Sequence, residues 1–390
     1  MRFYIANDDE IKSGKTTDIY FIRTKEILQK EKINKNVLME ITTHDNKYPW
    51  IVFSGLEEVL ELLKGKKINL YSIPEGFIFK PFDQNGIPVP IMMIEGNYVD
   101  FAEFETPLLG IICQASGIST KSARFKKLIG NKTLMSFGVR RMHPALAPMI
   151  DRYSYIGGCD YVSSVIGAER LNKTPRGTMP HALILLIGEE DAWKKFDEDL
   201  DPSIPRIALI DTFCDEKFSA IKAAELIKNL SGVRLDTPSS RKGDFSYLIR
   251  EVKWELKIRG FDKVQIIVSG GIKEEDIKDL IEAGADGFGI GTSISSASTI
   301  DYALDIVEID KKPITKRGKF SGRKDVYYCE NCVNYAVVPH GDKTPKCKYC
   351  GKEMKNILEK YIENGNIVKD IPNVDNIREN VLKSLQKLEI

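Results

Sequence analysis

The chain has 390 residues, 57 basic and 56 acidic, for a formal net charge of +1; 42% is hydrophobic and 29% charged. That length implies two or three domains with ample core, and the balance argues against a disordered chain and against charge-driven binding to nucleic acid. The longest purely aliphatic run, 182–187, is six residues against about 20 for a membrane span, and the start M-R-F-Y-I-A-N-D-D-E is acidic where a secretory signal is basic, so a cytoplasmic protein with no membrane or nucleic-acid partner is expected.

Taken in chain order, residues 1–105 predict an N-terminal α+β domain on an open sheet. A helical pattern over 17–32 sets Ile22, Ile27 and Leu28 on one side. N-K-N-V-L-M-E-I-T at 34–42 has strand character, and G-L-E-E-V-L-E-L-L-K at 55–64 is an amphipathic helix. Short β-like runs follow at 68–71, 76–81 and 90–95, the last two joined by the turn-forming D-Q-N-G. From 106 the rhythm changes to short apolar strands alternating with helices at 217–230, 245–259 and 274–283. Strand starts near 207, 233, 264 and 287 lie 26, 31 and 23 residues apart, about one βα unit each. Candidates at 133–137, 160–162 and 174–178 extend the series. Six or seven successive units predict a closed, TIM-like βα barrel over 106–310, and no G-x-G-x-x-G follows its first strand.

Residues 311–390 predict a basic connector, a small zinc ribbon (329–350) and a helical tail from 375 to 387. Of seven cysteines, Cys113, Cys159 and Cys214 are scattered as buried free thiols would be. The other four form Cys329-x-x-Cys332 and Cys347-x-x-Cys350 within 22 residues. Four thiolates in two close pairs suit one tetrahedral Zn²⁺; the same pairs would also serve as a redox dithiol couple.

In a βα barrel, function sits on the loops after the strands. Val268-Ser269-Gly270-Gly271-Ile272 and Gly289-Ile290-Gly291-Thr292-Ser293 leave the last two strands through glycines and enter helices. Such turns bring backbone N–H groups close to an anion, so a phosphate site is expected there. After the first strand, F-G-V-R-R-M-H brings Phe137, Arg140, Arg141 and His143 to the mouth, and paired arginines hold carboxylates or phosphates. R-G-T-M-P-H offers Thr178 as a hydroxyl donor and His181, which either faces the site or caps a helix. Asp211 ends I-A-L-I-D-T, and Arg234 and Asp236, two apart on a strand, point the same way. Arg234 and Asp236 can thus both face the mouth, one for an anion and one for a cation or sugar hydroxyl; the alternative for these two is a buried ion pair.

Eight motifs in order then resemble a known family. T-T-D-I-Y at 16, E-T-P-L-L at 105, F-G-V-R-R at 137, R-G-T-M-P-H at 176, L-I-D-T at 209, R-L-D-T-P-S-S-R at 234, V-S-G-G-I at 268 and G-F-G-I-G-T at 287 are similar to those of nicotinate phosphoribosyltransferases. The form resembled is the archaeal one with a zinc-binding tail, within the type II phosphoribosyltransferase group. The resemblance implies attack of nicotinate on 5-phosphoribosyl pyrophosphate, giving nicotinate mononucleotide and pyrophosphate. It implies Phe137 stacking on the nicotinate ring opposite Tyr20 of a second subunit, hence a homo-oligomer with shared active sites. Thr178 and Arg234 would lie near the pyridine carboxylate, and Arg140 near the carboxylate or phosphates. Gly270, Gly271, Gly291 and Thr292, with Ser269 beside them, would hold the 5′-phosphate, and Asp211 and Asp236 would face ribose or Mg²⁺. His181 matches the residue that couples ATP in ATP-using members.

The R-R-M-H-P stretch is also similar to quinolinate phosphoribosyltransferases, where His143 would serve a second carboxylate; nicotinamide is a further alternative substrate. From other classes stand a zinc-ribbon protein using the lysine-rich 311–355 region on nucleic acid or as a scaffold, and a phosphate-binding isomerase or aldolase barrel.

Overall fold

The computed structural model describes residues 3–44 and 47–389; residues 1, 2, 45, 46 and 390 lie outside that description. The chain forms two compact units, residues 1–120 with 298–390 and residues 121–297. The limits expected at 105/106 and 310/311 fall at the start of the helix Glu105–Ile129 and just beyond the strand Tyr302–Ile309. No helix among the described residues is long and apolar enough to cross a membrane.

The first unit is built on a seven-stranded sheet in the order Lys312–Pro313, Tyr302–Ile309, Asn36–Thr43, Met92–Asn97, Ile68–Ser72, Glu359–Glu363, Asn366–Ile367, antiparallel throughout. Two of its strands thus come from the C-terminal tail. One face packs Val37, Met39, Ile41, Leu70 and Ile94 against Leu56, Val59, Leu60 and Leu63 of the helix Leu56–Leu63. That i, i+3, i+4, i+7 spacing makes one apolar stripe, which is why the helix forms here. The other face carries charge. Lys324 Nζ meets Glu40 Oε2 at 2.7 Å, Arg323 Nη2 meets Glu95 Oε2 at 2.6 Å, and Lys319 Nζ meets Asp305 Oδ2 at 3.0 Å. Four cations of the basic connector, Lys316, Lys319, Arg323 and Lys324, are therefore ion-paired with acids of the sheet. Beside it, the hairpin Lys324–Cys329 and Asn334–Pro339 carries the cysteine segment.

The second unit is a parallel sheet of six strands: β1 (Thr133–Ser136), β2 (Tyr161–Val162), β3 (Ile207–Leu209), β4 (Gly232–Leu235), β5 (Gln265–Ser269) and β6 (Gly287–Ile290). The spatial order is β2-β1-β6-β5-β4-β3. First and last strands pair, as in a barrel, but β2 and β3 do not. The expected closed barrel is corrected to a half-barrel. The strand expected at 174–178 is the missing stave: residues 173–180 have no ladder, and the segment's one backbone bond to β2 is Arg176 N–H on Val162 O, at 2.9 Å. Pro175 and Pro180 lack the N–H groups a buried strand donates.

The helix Glu105–Ile129, the longest in the chain, has no counterpart among the expected elements. Its Gly, Ser and Thr positions blur the helical period. They are there for close packing: a Cβ on Gly117 would stand 2.3 Å from Ser298 O.

Candidate active site

Strand ends β1, β4, β5 and β6 of the half-barrel converge on a cavity of about 670 Å³. Phe137 leaves β1 with its N–H on Ile290 O at 2.9 Å. Its ring lies so close to β6 that a Cβ on Gly289 would stand 2.5 Å from the ring. Glycine there is a requirement of the ring's position.

Arg234 stands over Phe137, its guanidinium carbon 5.4 Å from the ring centroid. Three neighbours fix it: Nε donates to Ser269 Oγ at 3.0 Å, Nη1 to Thr178 Oγ1 at 2.8 Å, and Nη2 pairs with Asp236 Oδ2 at 3.0 Å. Ser269 Oγ in turn donates to Asp236 Oδ1 at 2.7 Å. The result is a preorganised aromatic–guanidinium wall suited to a flat anion.

Asp211 lies beneath the cavity, its side chain 1% exposed. Its Oδ1 meets His181 Nε2 at 3.2 Å and its Oδ2 accepts the Asp236 N–H at 2.8 Å. Burial raises its pKa, against the opposing pull of His181 and the Asp236 amide. Asp211 is thus an orienting group for His181.

Gly270 and Gly271, at φ +83° and +68°, sit in the left-handed region after β5, and Gly291 and Thr292 follow β6 at the same cavity. Positive φ turns successive amides outward, as an oxyanion requires. Lys242, which the sequence reading passed over, bonds the Gly270 carbonyl and puts a cation beside this turn. Its sequence signal was a basic pair, Arg241-Lys242, in the loop after β4.

Of the expected site residues, the cavity gathers Phe137, Arg140, Arg141, Thr178, His181, Arg234, Asp236, Ser269, Gly270, Gly271, Gly291 and Thr292. Asp211 joins through His181. His143 does not line it; its Nδ1 accepts the Ala145 N–H at 3.2 Å, capping a short 3₁₀ helix. Tyr20 belongs to the other unit, 57% exposed on the helix Ile19–Lys30. Arg176, unassigned from sequence, lines the cavity as well.

The sulfurs of Cys329, Cys332, Cys347 and Cys350 all lie within 4.8 Å of one another. Burial opposes ionisation of Cys347, but the amides of Cys350 and Tyr349 and the Asn334 side chain donate to its sulfur and bring it down to about 6. Both the donor set and the amide contacts fit a metal-thiolate knuckle.

Two domain models match the chain: quinolinate phosphoribosyl transferase, N-terminal domain, over residues 18–116, and its C-terminal domain over 118–305. A nicotinate phosphoribosyltransferase of Bacillus subtilis is 29% identical over 373 residues, covering 82% of this chain and 74% of its own length. The crystal structure of nicotinate-nucleotide pyrophosphorylase from Pyrococcus furiosus is 53% identical, covers 100% of both chains and superposes with a TM-score of 0.96. Human nicotinic acid phosphoribosyltransferase shares the fold at 17% identity and a TM-score of 0.73, over 96% of this chain and 94% of its own.

Proposed function

The chain belongs to the family of quinolinate and nicotinate phosphoribosyltransferases, and from that premise we propose that it joins nicotinate to 5-phosphoribosyl pyrophosphate, releasing pyrophosphate. The observation that carries this reading is the Phe137–Arg234 wall standing beside two glycine turns in one cavity. A flat pyridine carboxylate fits the wall, and a sugar phosphate fits the turns.

In this reaction the anomeric carbon loses its bond to pyrophosphate oxygen and gains one to the ring nitrogen. Positive charge grows on the sugar and negative charge on the leaving group, so positioning and fixed charge matter more than a protein nucleophile. Asp236, oriented by Arg234 and Ser269, supplies the negative charge beside the sugar, and Arg140 and Arg141 meet the departing pyrophosphate. Magnesium enters with the donor as part of the substrate. Asp211 and Asp236 are already engaged by His181, Arg234, Ser269 and an amide, so neither carboxylate is assigned here as its ligand.

His181, held by Asp211 through Nε2, is the residue through which ATP is read as coupling to turnover. Tyr20 is read as closing the second face of the ring from a partner subunit, making a homo-oligomer the active unit. Cys329, Cys332, Cys347 and Cys350 would hold a structural zinc.

Quinolinate is the second reading, favoured by the match of residues 18–116 and 118–305 to the two domains of quinolinate phosphoribosyl transferase. The capping bond of His143 speaks against it, because the residue that would serve a second carboxylate lies outside the cavity. The test is pyrophosphate release from phosphoribosyl pyrophosphate and Mg²⁺ with nicotinate, nicotinamide or quinolinate, each with and without ATP. Release with nicotinate is expected, faster with ATP; release confined to quinolinate would overturn the assignment.

A further inference from the structure

The half-barrel unit shows what a satisfied guanidinium looks like. Arg206 is 7% exposed and every donor is used: Nε on Asp197 Oδ1, Nη1 on the carbonyls of Asp201 and Ile204, Nη2 on those of Asp197 and Leu200, all at 2.7–2.9 Å. Arg234 has each nitrogen bonded as well. Arg176 departs from both. Its Nε is buried with no hydrogen-bond partner, although the residue lines the open cavity.

Two features hold it there. The backbone is pinned by the Arg176 N–H on Val162 O at 2.9 Å, just after Pro175. The guanidinium lies over the Tyr161 ring, 5.2 Å from its centroid. Stacking orients the plane but supplies no acceptor in it, and Nε has none from the protein. Arg176 also stands where the main cavity meets a side pocket of about 200 Å³ lined by Tyr155, Asp160, Tyr161, Lys173 and Thr174. Asp160 is engaged elsewhere, accepting from Lys126 Nζ and the Leu134 amide, both at 2.9 Å. A buried donor with no protein acceptor, fixed at a cavity wall, is completed by an acceptor that arrives with a ligand.

We propose that Arg176 binds an oxyanion of the substrates, either the pyridine carboxylate or a phosphate of the sugar donor. The assignment rests on the phosphoribosyl-transfer reading only for the identity of these ligands. Arg176 acts in binding, so its removal falls on affinity and KM more than on kcat.

The test is calorimetric titration of the full-length protein, wild type, R176Q and R176K, with nicotinate and with Mg²⁺–phosphoribosyl pyrophosphate separately, alongside KM for each. R176Q is expected to weaken one of the two ligands about tenfold to hundredfold, the range of a charge-assisted hydrogen bond. R176K should recover part of the loss, since it restores charge without the fork. The ligand affected identifies the oxyanion. Affinities for both ligands within twofold of wild type would overturn the proposal, as would equal weakening of both with a matching loss of Tm. A wild type that binds both ligands without turnover removes the transfer reading and leaves this test in force; one that binds neither removes both.

Discussion

Charge is used in opposite ways on the sheet of the first unit and at the mouth of the second. On the sheet, Lys324 and Glu40 are 7% and 4% exposed and closed upon each other, with the carbonyls of Phe320 and Gly322 taking the other lysine protons. At the mouth, Arg234, Thr178, Ser269 and Asp236 are bonded together along a cavity wall, and Arg176 keeps a free donor. Closed pairs hold a strap of chain on a sheet; open networks hold side chains ready for a ligand. A basic segment therefore says little about anion binding until its partners are known.

The largest expected effect breaks a closed pair. K324M leaves Glu40 buried and unpaired, and should lower unfolding free energy by about 3–5 kcal/mol in denaturant titration, with turnover per folded molecule kept. The double variant E40L/K324M should regain most of that loss. Retained stability with lost turnover in K324M would place the sheet charges in the ligand site and erase the contrast. Next comes the open network. R234M should cut kcat/KM by about 10²–10³, the range for removing one preorganised charge-stabilising donor, while Tm moves by only a few degrees.

The cysteine knuckle sharpens the comparison from the structural side. C347S/C350S, or chelation of the wild type, should lower Tm by about 5–10 °C, a cost of a few kcal/mol at ~2–4 °C each for units of this size. Turnover of the surviving fraction should persist, as steady-state assays after gel filtration would show.

The smallest effect is a pH dependence carried by one carboxylate in each unit. Burial raises Glu105 to about 7, with Asp305 adding repulsion, and raises Asp151 to about 6 against the Ser164 hydrogen bonds. A raised carboxyl pKa contributes stability that is complete below the unfolded value and lost as pH rises through the folded one. Stability should therefore fall from about pH 4 to 7, by up to about 3 kcal/mol per group at about 1.4 kcal/mol per pKa unit. E105Q and D151N should each flatten that slope in denaturation curves taken across the window; unchanged slopes in both would show that neither carboxyl holds its proton in the fold.

Much of this was legible beforehand, for local reasons. The helix Leu56–Leu63 and the strands β3 to β6 lie where spacing placed them, because one apolar stripe or one short apolar run suffices to define each. Glycine pairs at 270–271 and 289–291 marked the turns that line the cavity for the same reason. What stayed illegible depended on distant neighbours. The helix Glu105–Ile129 hides its period because small residues serve packing. Residues 174–178 look like a strand, but Pro175 within them, Pro180 just after and a single backbone bond to β2 leave the ring open.

By itself, then, the sequence determined the family, the alternation of strands and helices, the cysteine tetrad and the residue types at the mouth, since these are written in spacing and motif. Tertiary structure alone decided that the barrel is a half-barrel, that His143 is a cap, that Asp211 is buried behind His181, and that Arg176 is left with an unfilled donor. Those outcomes follow from which donor meets which acceptor across tens to hundreds of residues, and hydrogen-bond saturation is a property of the folded neighbourhood, not of the local chain.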